Sequence, residues 1–288
     1  MNMRIDIDTL LEPLDAEAPS GPNLEYDPDF MALERLALPR DERQFGDSVI
    51  AAEEPDWEKV ELVGLALAAR TRDLRVAVYL CSAWTRRHGL QGWRDGLALV
   101  QGLLEQHWDT VHPQLDAEDG NDPTARITAI MPLADPIGPL GYLRTTPFVQ
   151  SPRLGRYTLR DLRIANHTLK PTDGSEPIPL TEIEACCLDC PEGDLGEAAE
   201  SVHDAMARAR AIDGLLGERL STSAPELKPL IGDLYELDRF LQAQWSARSG
   251  TSLDEVPVAS DGSGEAESGR GGSGAGAAAG RIATTTDV

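Results

Sequence analysis

The 288-residue chain carries 26 Lys and Arg against 49 Asp and Glu, a formal net charge of −23. Such a surface repels phosphate backbones and anionic lipid, which sets aside nucleic acid and membrane insertion and leaves basic protein surfaces, or simply water. At 41% hydrophobic but 5% aromatic, the chain can bury a core built mostly of Leu, Ala, Val and Ile. It has no apolar run of the roughly 20 residues that cross a bilayer.

Met1 to Asp8 alternate charged and apolar residues and lack the basic stretch and apolar run of a secretory leader. Residues 1–30 read as an acidic, turn-rich arm. Asp6, Asp8, Glu12, Asp15, Glu17, Glu25, Asp27 and Asp29 face a single Arg4, and Pro19-Ser20-Gly21-Pro22-Asn23 has to turn. The arm is expected to lie over the domain, anchored by Tyr26, Phe30 and Leu33, with a short helix from near Pro28.

Three helices follow. Asp56 caps the first, with Trp57, Val60, Val63 and Leu67 at helical spacing. Asp73 caps the second, with Leu74, Ala77, Val78, Cys81 and Trp84 on one face and Gly89 at its end. The third carries Trp93, Leu97, Val100, Leu104 and Trp108. Short connections make these antiparallel neighbours. Asp122-Pro123 reads as a cap with Pro at the first helical position, opening a short helix through Ile127 and Ile130. Phe148-Val149 and Tyr157 through Ile164 read as a small hairpin around Gly155.

Farther on, Leu195, Ala198, Val202, Ala205, Ala209, Ile212 and Leu216 step 3-4-3-4, an apolar seam. Leu227, Leu230, Leu234, Leu237 and Leu241 repeat it behind a capping-box pattern, Ser223-Ala-Pro-Glu226. Pro229 conflicts with a helix starting at that box, because Pro is tolerated only in the first turn. The fold class is therefore mainly α. An antiparallel helical bundle with a small β-hairpin spans 1–170, including the arm 1–30. A helical hairpin spans 171–249, and a flexible Gly/Ser/Ala-rich acidic linker or tail spans 250–288.

Chemistry is sparse. There is no phosphate-binding loop, no dinucleotide turn and no Gly-x-Ser-x-Gly elbow, and the three lysines (Lys59, Lys170 and Lys228) lie outside any phosphate context. Of the four cysteines, Cys81 sits in an apolar segment and Cys186, Cys187 and Cys190 crowd together, which suits a reducing compartment better than a disulfide framework. Cys187-Leu-Asp-Cys190 has the spacing of half a zinc knuckle, but no second pair exists and His203 is the one His downstream. Asp116 to Asp122 fails the register of a calcium loop, because Gly120 at position 6 puts Leu115 at position 1. His88, His107 and His112 do not share a helical face, and helix ends account for His88 and His107. No catalytic, cofactor-binding or metal-ligating residue is expected.

Several pieces in order resemble the amino-terminal domain of the ImpA/TssA family. They are Ser20-Gly-Pro-Asn-Leu-Glu-Tyr-Asp-Pro-Asp-Phe30, Pro55-Asp-Trp57, Arg72-Asp-Leu-Arg-Val-Ala-Val-Tyr-Leu80 and Gly96-Leu97. Trp108-Asp-Thr-Val-His-Pro113, Asp119-Gly-Asn-Asp-Pro123 with Arg126, and Gly155-Arg-Tyr-Thr-Leu-Arg-Asp161 continue the match. The resemblance implies a helical, non-enzymatic component of the bacterial type VI secretion system, cytoplasmic, at the inner face of the cytoplasmic membrane with the apparatus. Its partners would be baseplate, sheath and inner-tube proteins. Gly280 to Val288 resembles the opening of the family's carboxy-terminal domain, so self-association into a large ring is expected only with that domain added.

The matched residues are expected to specify the fold. Trp57, Trp84 and Trp108 read as core rather than contact sites, Asp73 as a cap, and Arg75 or Arg126 as partners of a buried acid. Two other functions compete: an acidic adaptor or immunity-like binding module outside the machine, and a hydrolase using Glu25, Asp27 and Asp29.

Overall fold

In the computed structural model, residues 5–39, 43–45, 48–50, 53–171, 174 and 176–250 are described. The arm opens with α1 (Ile7–Leu11), capped by the Asp6 carboxylate, and continues to α2 (Pro28–Leu36), capped by Asp27 with Pro28 in the first turn. Phe30 and Leu33 are buried as expected, while Tyr26 is 86% exposed. Tyr26 lies in the turn closed by the Asp27 N–H donating to Leu24 O (2.9 Å), which leaves its ring outside the core. A two-stranded antiparallel pair, β1 (Arg43–Phe45) and β2 (Ser48–Ile50), has no counterpart in the sequence reading.

The bundle starts with α3 (Trp57–Ala68), where the Asp56 carboxylate accepts from the Lys59 N–H, and α4 (Leu74–Gln106), capped by Asp73. Gly89 interrupts α4 with φ 66° and ψ −141°, a conformation that glycine reaches without a Cβ penalty. The chain reverses there, so 74–88 and 90–106 form the antiparallel pair that the sequence predicts. The two arms approach closely: a Cβ on Gly96 would lie 2.5 Å from Cys81 Sγ and 2.6 Å from Cys81 Cα. Leu80, Trp84, Trp93, Leu97, Val100 and Leu104 fill the core at 0–1% exposure.

Next come α5 (Thr124–Ile130), α6 (Pro139–Thr145), and the antiparallel hairpin of β3 (Pro147–Ser151) and β4 (Gly155–Thr158). The Asp122-Pro123 signal is displaced by one residue. Helix α5 starts at Thr124, whose N–H and hydroxyl bond the Asp122 carboxylate at 3.2 and 3.0 Å. The second strand is shorter than expected, because Thr158 and Asp161 form a capping box that turns Leu159–Ala165 into helix α7.

The last layer comprises α8 (Leu180–Asp189), α9 (Glu192–Leu220) and α10 (Lys228–Ser249). Helix α8 is absent from the sequence reading. Along α9, Gln91 meets Glu197 and Gln101 meets Arg208, so α9 runs parallel to the second arm of α4. Ala199 meets Gln242 and His203 meets Asp238, so α10 returns antiparallel to α9. The Ser223-to-Glu226 capping box does not form. Helix α10 begins at Lys228 without a side-chain cap, which places Pro229 in its first turn and removes the conflict it posed. From residue 251 on, the tail expected over 250–288 lies outside the described residues. No helix among the described residues is long and apolar enough to cross a membrane.

Two glycines test this packing in opposite directions. Gly96→Val forces a side chain into Cys81 and is expected to cost about 1–3 kcal/mol in denaturant unfolding. Gly214, inside α9 with open space around it, is expected to gain about 0.5–1 kcal/mol as Gly214→Ala.

Candidate functional site

The family-like pieces converge where the arm crosses the bundle. Backbone bonds join three segments edge to edge: the Arg72 N–H donates to Ser20 O (2.8 Å), the His112 N–H to Arg72 O (2.9 Å) and the Leu74 N–H to His112 O (2.8 Å). Buried side chains then satisfy carbonyls of the arm. Arg72 reaches Glu12 O at 3.1 Å (Nε) and 2.6 Å (Nη2) and also bonds Ala68 O. His107 Nε2 bonds Leu11 O at 2.7 Å, His112 Nε2 bonds Gly21 O at 3.0 Å, and the Thr71 hydroxyl donates to Pro22 O at 2.8 Å. His107 and His112 are therefore structural, whereas His88 Nε2 is buried 3.6 Å from Glu61 Oε1 without a hydrogen bond.

Arg126 corrects one expectation. It is fully buried but has no carboxylate partner. Its Nε, Nη1 and Nη2 donate to Pro113 O, Trp108 O and Val111 O at 3.0, 2.9 and 2.9 Å, and its guanidinium lies 4.9 Å from the Trp108 ring centroid. Burial pulls it down to about 10, only partly offset by Asp109, so it stays charged at neutral pH. Arg75 does find a buried acid: its Nη2 is 2.8 Å from the carboxylate of Asp73, the same group that caps α4.

The acids of the arm are held by arginines. Arg70 bonds Asp27 and, at 2.9 Å, Asp29, while Arg75 Nη1 lies 3.5 Å from Glu25. The Arg70 hydrogen bond, and next the Asp29 N–H, hold the Asp27 carboxyl below the usual carboxylate range. The loop from Asp116 to Asp122 is an Asx-type turn. Asp116 Oδ1 accepts from the Glu118 and Asp119 N–H groups at 2.9 and 3.3 Å.

Cys186, Cys187 and Cys190 are buried under α10, where Arg248 Nη1 donates to Cys187 O and Cys190 O at 2.8 and 2.7 Å. Burial pushes the Cys187 thiol up to about 12, which suits a small apolar side chain. No group of three or more His, Cys, Asp and Glu side chains among the described residues could hold a metal ion.

Beside this crossing of arm and bundle lies an open groove of about 530 Å³, with Trp57, Arg75, Val78, Tyr79, Pro113 and Tyr142 among its walls. Trp57 meets Tyr142 edge-on at 5.0 Å and is 9% exposed, so it is both packed and part of the wall. Trp84 and Trp108 are buried. Burial, and then the charge of Glu34, raises the Tyr79 hydroxyl. The sequence reading assigned Trp57 to the core; that it also edges a groove depends on Tyr142, far along the chain, and spacing does not reveal that pairing.

The solved N-terminal domain, including the ImpA_N region, of the TssA component of the type VI secretion system from Burkholderia cenocepacia has the same fold. Its TM-score is 0.66 at 23% identity, covering 86% of this chain and 96% of that one. Residues 11–135 match the family model described as ImpA, N-terminal, type VI secretion system. A curated relative from Pseudomonas aeruginosa, the type VI secretion system component TssA1, is 35% identical over 99% of this chain and 83% of its own length. The chain belongs to the ImpA/TssA family.

Two measurements follow. Arg126→Lys cannot serve three carbonyls at once and is expected to lose about 2–4 kcal/mol; a variant that melts like the parent would refute this role. Because the Asp27 pKa is lowered on folding, its contribution is present above the ordinary carboxylate pKa and lost as pH falls through the lower folded value. The stability difference between the chain and Asp27→Asn should therefore close as pH falls below about 4.

Proposed function

We propose that the chain is a non-enzymatic assembly component of the bacterial type VI secretion system. It would help initiate or guide the building of baseplate, sheath and inner tube on the cytoplasmic side of the inner membrane. The observation that carries this reading is the 35% identity, sustained over 99% of the chain, to a protein named as a component of that system. The site chemistry is consistent with it. The family-like residues hold backbone carbonyls and shape a groove, and the arm acids Glu25, Asp27 and Asp29 are engaged by arginines. Nothing specific favours an immunity-like adaptor or a hydrolase. In this proposal residues 1–170 present the interaction surface, the helices of 171–249 brace it, and 250–288 serves as linker or tail.

The test is removal of the chain from a bacterium whose sheath carries a fluorescent label. Sheath foci and release of the inner-tube protein are expected to fall sharply, and to return when the chain is supplied in trans. Unchanged foci and release would overturn the proposal.

A further inference from the structure

We infer that the groove between α3, the first arm of α4, α5 and α6 is the docking site for an amphipathic, basic helix of a partner protein. Its walls are mainly apolar, formed by Trp57, Val78, Tyr79, Ala129, Pro139 and Tyr142. A volume of about 530 Å³ is enough to seat one or two large side chains. Exposed apolar side chains neighbour the walls in the chain: Tyr26, Leu38, Met131 and Ile137, 55–89% exposed, adjoin the wall residues Glu25, Ala37, Pro132 and Gly138.

Charge selects the occupant. Glu25 and Glu34 line the groove, and the cation that lines it, Arg75, is already held by Asp73 and Glu25. With Arg75 balanced by Glu25, it is Glu34 that sets the sign of the rim, on a chain whose net charge is −23. An acidic or neutral segment gains nothing from that rim, whereas Lys or Arg flanking an apolar stripe finds a carboxylate at the edge of an apolar floor. A trough walled by helices and open to solvent suits the helix-in-groove mode, with anchors at helical spacing. A second copy of this chain, as acidic as the first, is disfavoured by like-charge repulsion.

The proposal takes the secretion-assembly role as its setting, but its test does not depend on that role. The probe is a fluorescein-labelled synthetic helix of Leu and Lys in amphipathic spacing, titrated by fluorescence anisotropy. Two controls accompany it: the same residues scrambled to erase the apolar stripe, and a Leu/Glu helix. Thr128 and Ala125 are exposed groove-wall positions on α5, so Thr128→Arg and Ala125→Arg block the trough without opening the core. Thermal melts check that both variants fold.

The unaltered chain is expected to bind the Leu/Lys helix at least about tenfold more tightly than either control. Both blocking variants should lose about tenfold, and Glu34→Gln should weaken binding and flatten its salt dependence. Equal binding by the scrambled peptide, or by folded Thr128→Arg and Ala125→Arg, would reduce the effect to net charge and overturn the proposal. Loss of sheath assembly on deleting the chain, with full assembly restored by folded Thr128→Arg, would sink the groove while leaving the assembly role intact.

Discussion

Two irregular stretches, 12–27 and 107–123, cross this helical protein, and their inward carbonyls have no helix or sheet of their own to bond. A buried carbonyl left without a donor costs about 1–3 kcal/mol, so the fold depends on donors brought from elsewhere in the chain. Arg72, Thr71 and His112 serve the first stretch, His107 bonds the carbonyl of Leu11 that ends α1 just before it, and Arg126 serves three carbonyls of the second. These side chains sit on or beside α3, α4 and α5. The same bonds that satisfy the loops therefore fix where those helices lie.

Two arginines carry most of these bonds because guanidinium offers several donors from one rigid plane. Arg126 illustrates the cost: without a carboxylate beside it, desolvation weakens its hold on the proton, and three carbonyl dipoles and the Trp108 face replace the missing water. Arg219 approaches the same indole, 5.3 Å from its centroid, so α9 is tied to the 107–123 stretch through Trp108. Elsewhere the solution is ionic. Arg144 and Arg163 converge on the buried carboxylate of Asp233, and Arg163 also reaches Glu236, joining α6 and α7 to α10. Removing one partner of such a group leaves the other charged and dry, which is costlier than never having placed the pair.

Periodicity made the long helices legible, since the seams of α3, α4, α9 and α10 are apolar at regular helical steps, and Gly89 marked the reversal. It failed where a residue's type misled. The buried face of α8 is Ile183, Cys186 and Cys187, a short stripe whose cysteines act as small hydrophobes and do not register as an apolar seam. Leu159 to Ile164 has strand-like composition, yet the capping-box signal Thr158-Leu-Arg-Asp161 was present in the sequence and prevails in the structure. The capping pattern at Ser223 was legible but idle, because Leu227 must be buried and Pro229 must stay in the first turn. No sequence signal could say which carbonyls Arg126 would serve. That depends on a non-repeating backbone path from Trp108 to Pro113.

The groove follows from the same constraint. One wall belongs to α3 and the first arm of α4, which approach closely at Gly64, where a Cβ would lie 2.8 Å from Leu80 Cδ2. The opposite wall includes Ala125, Thr128 and Ala129 on α5, which flank Arg126 on both sides in sequence. Arg126 points away from the trough into the turn at 108–113 and holds α5 there, while Pro113, whose carbonyl it binds, is itself a wall residue. The width of the groove is thus set by the hydrogen bonds of a side chain that never touches its contents. A surface that captures a segment binds more tightly when its walls need no ordering on contact. Satisfying the carbonyls of an irregular loop is therefore also what would make this surface ready to bind.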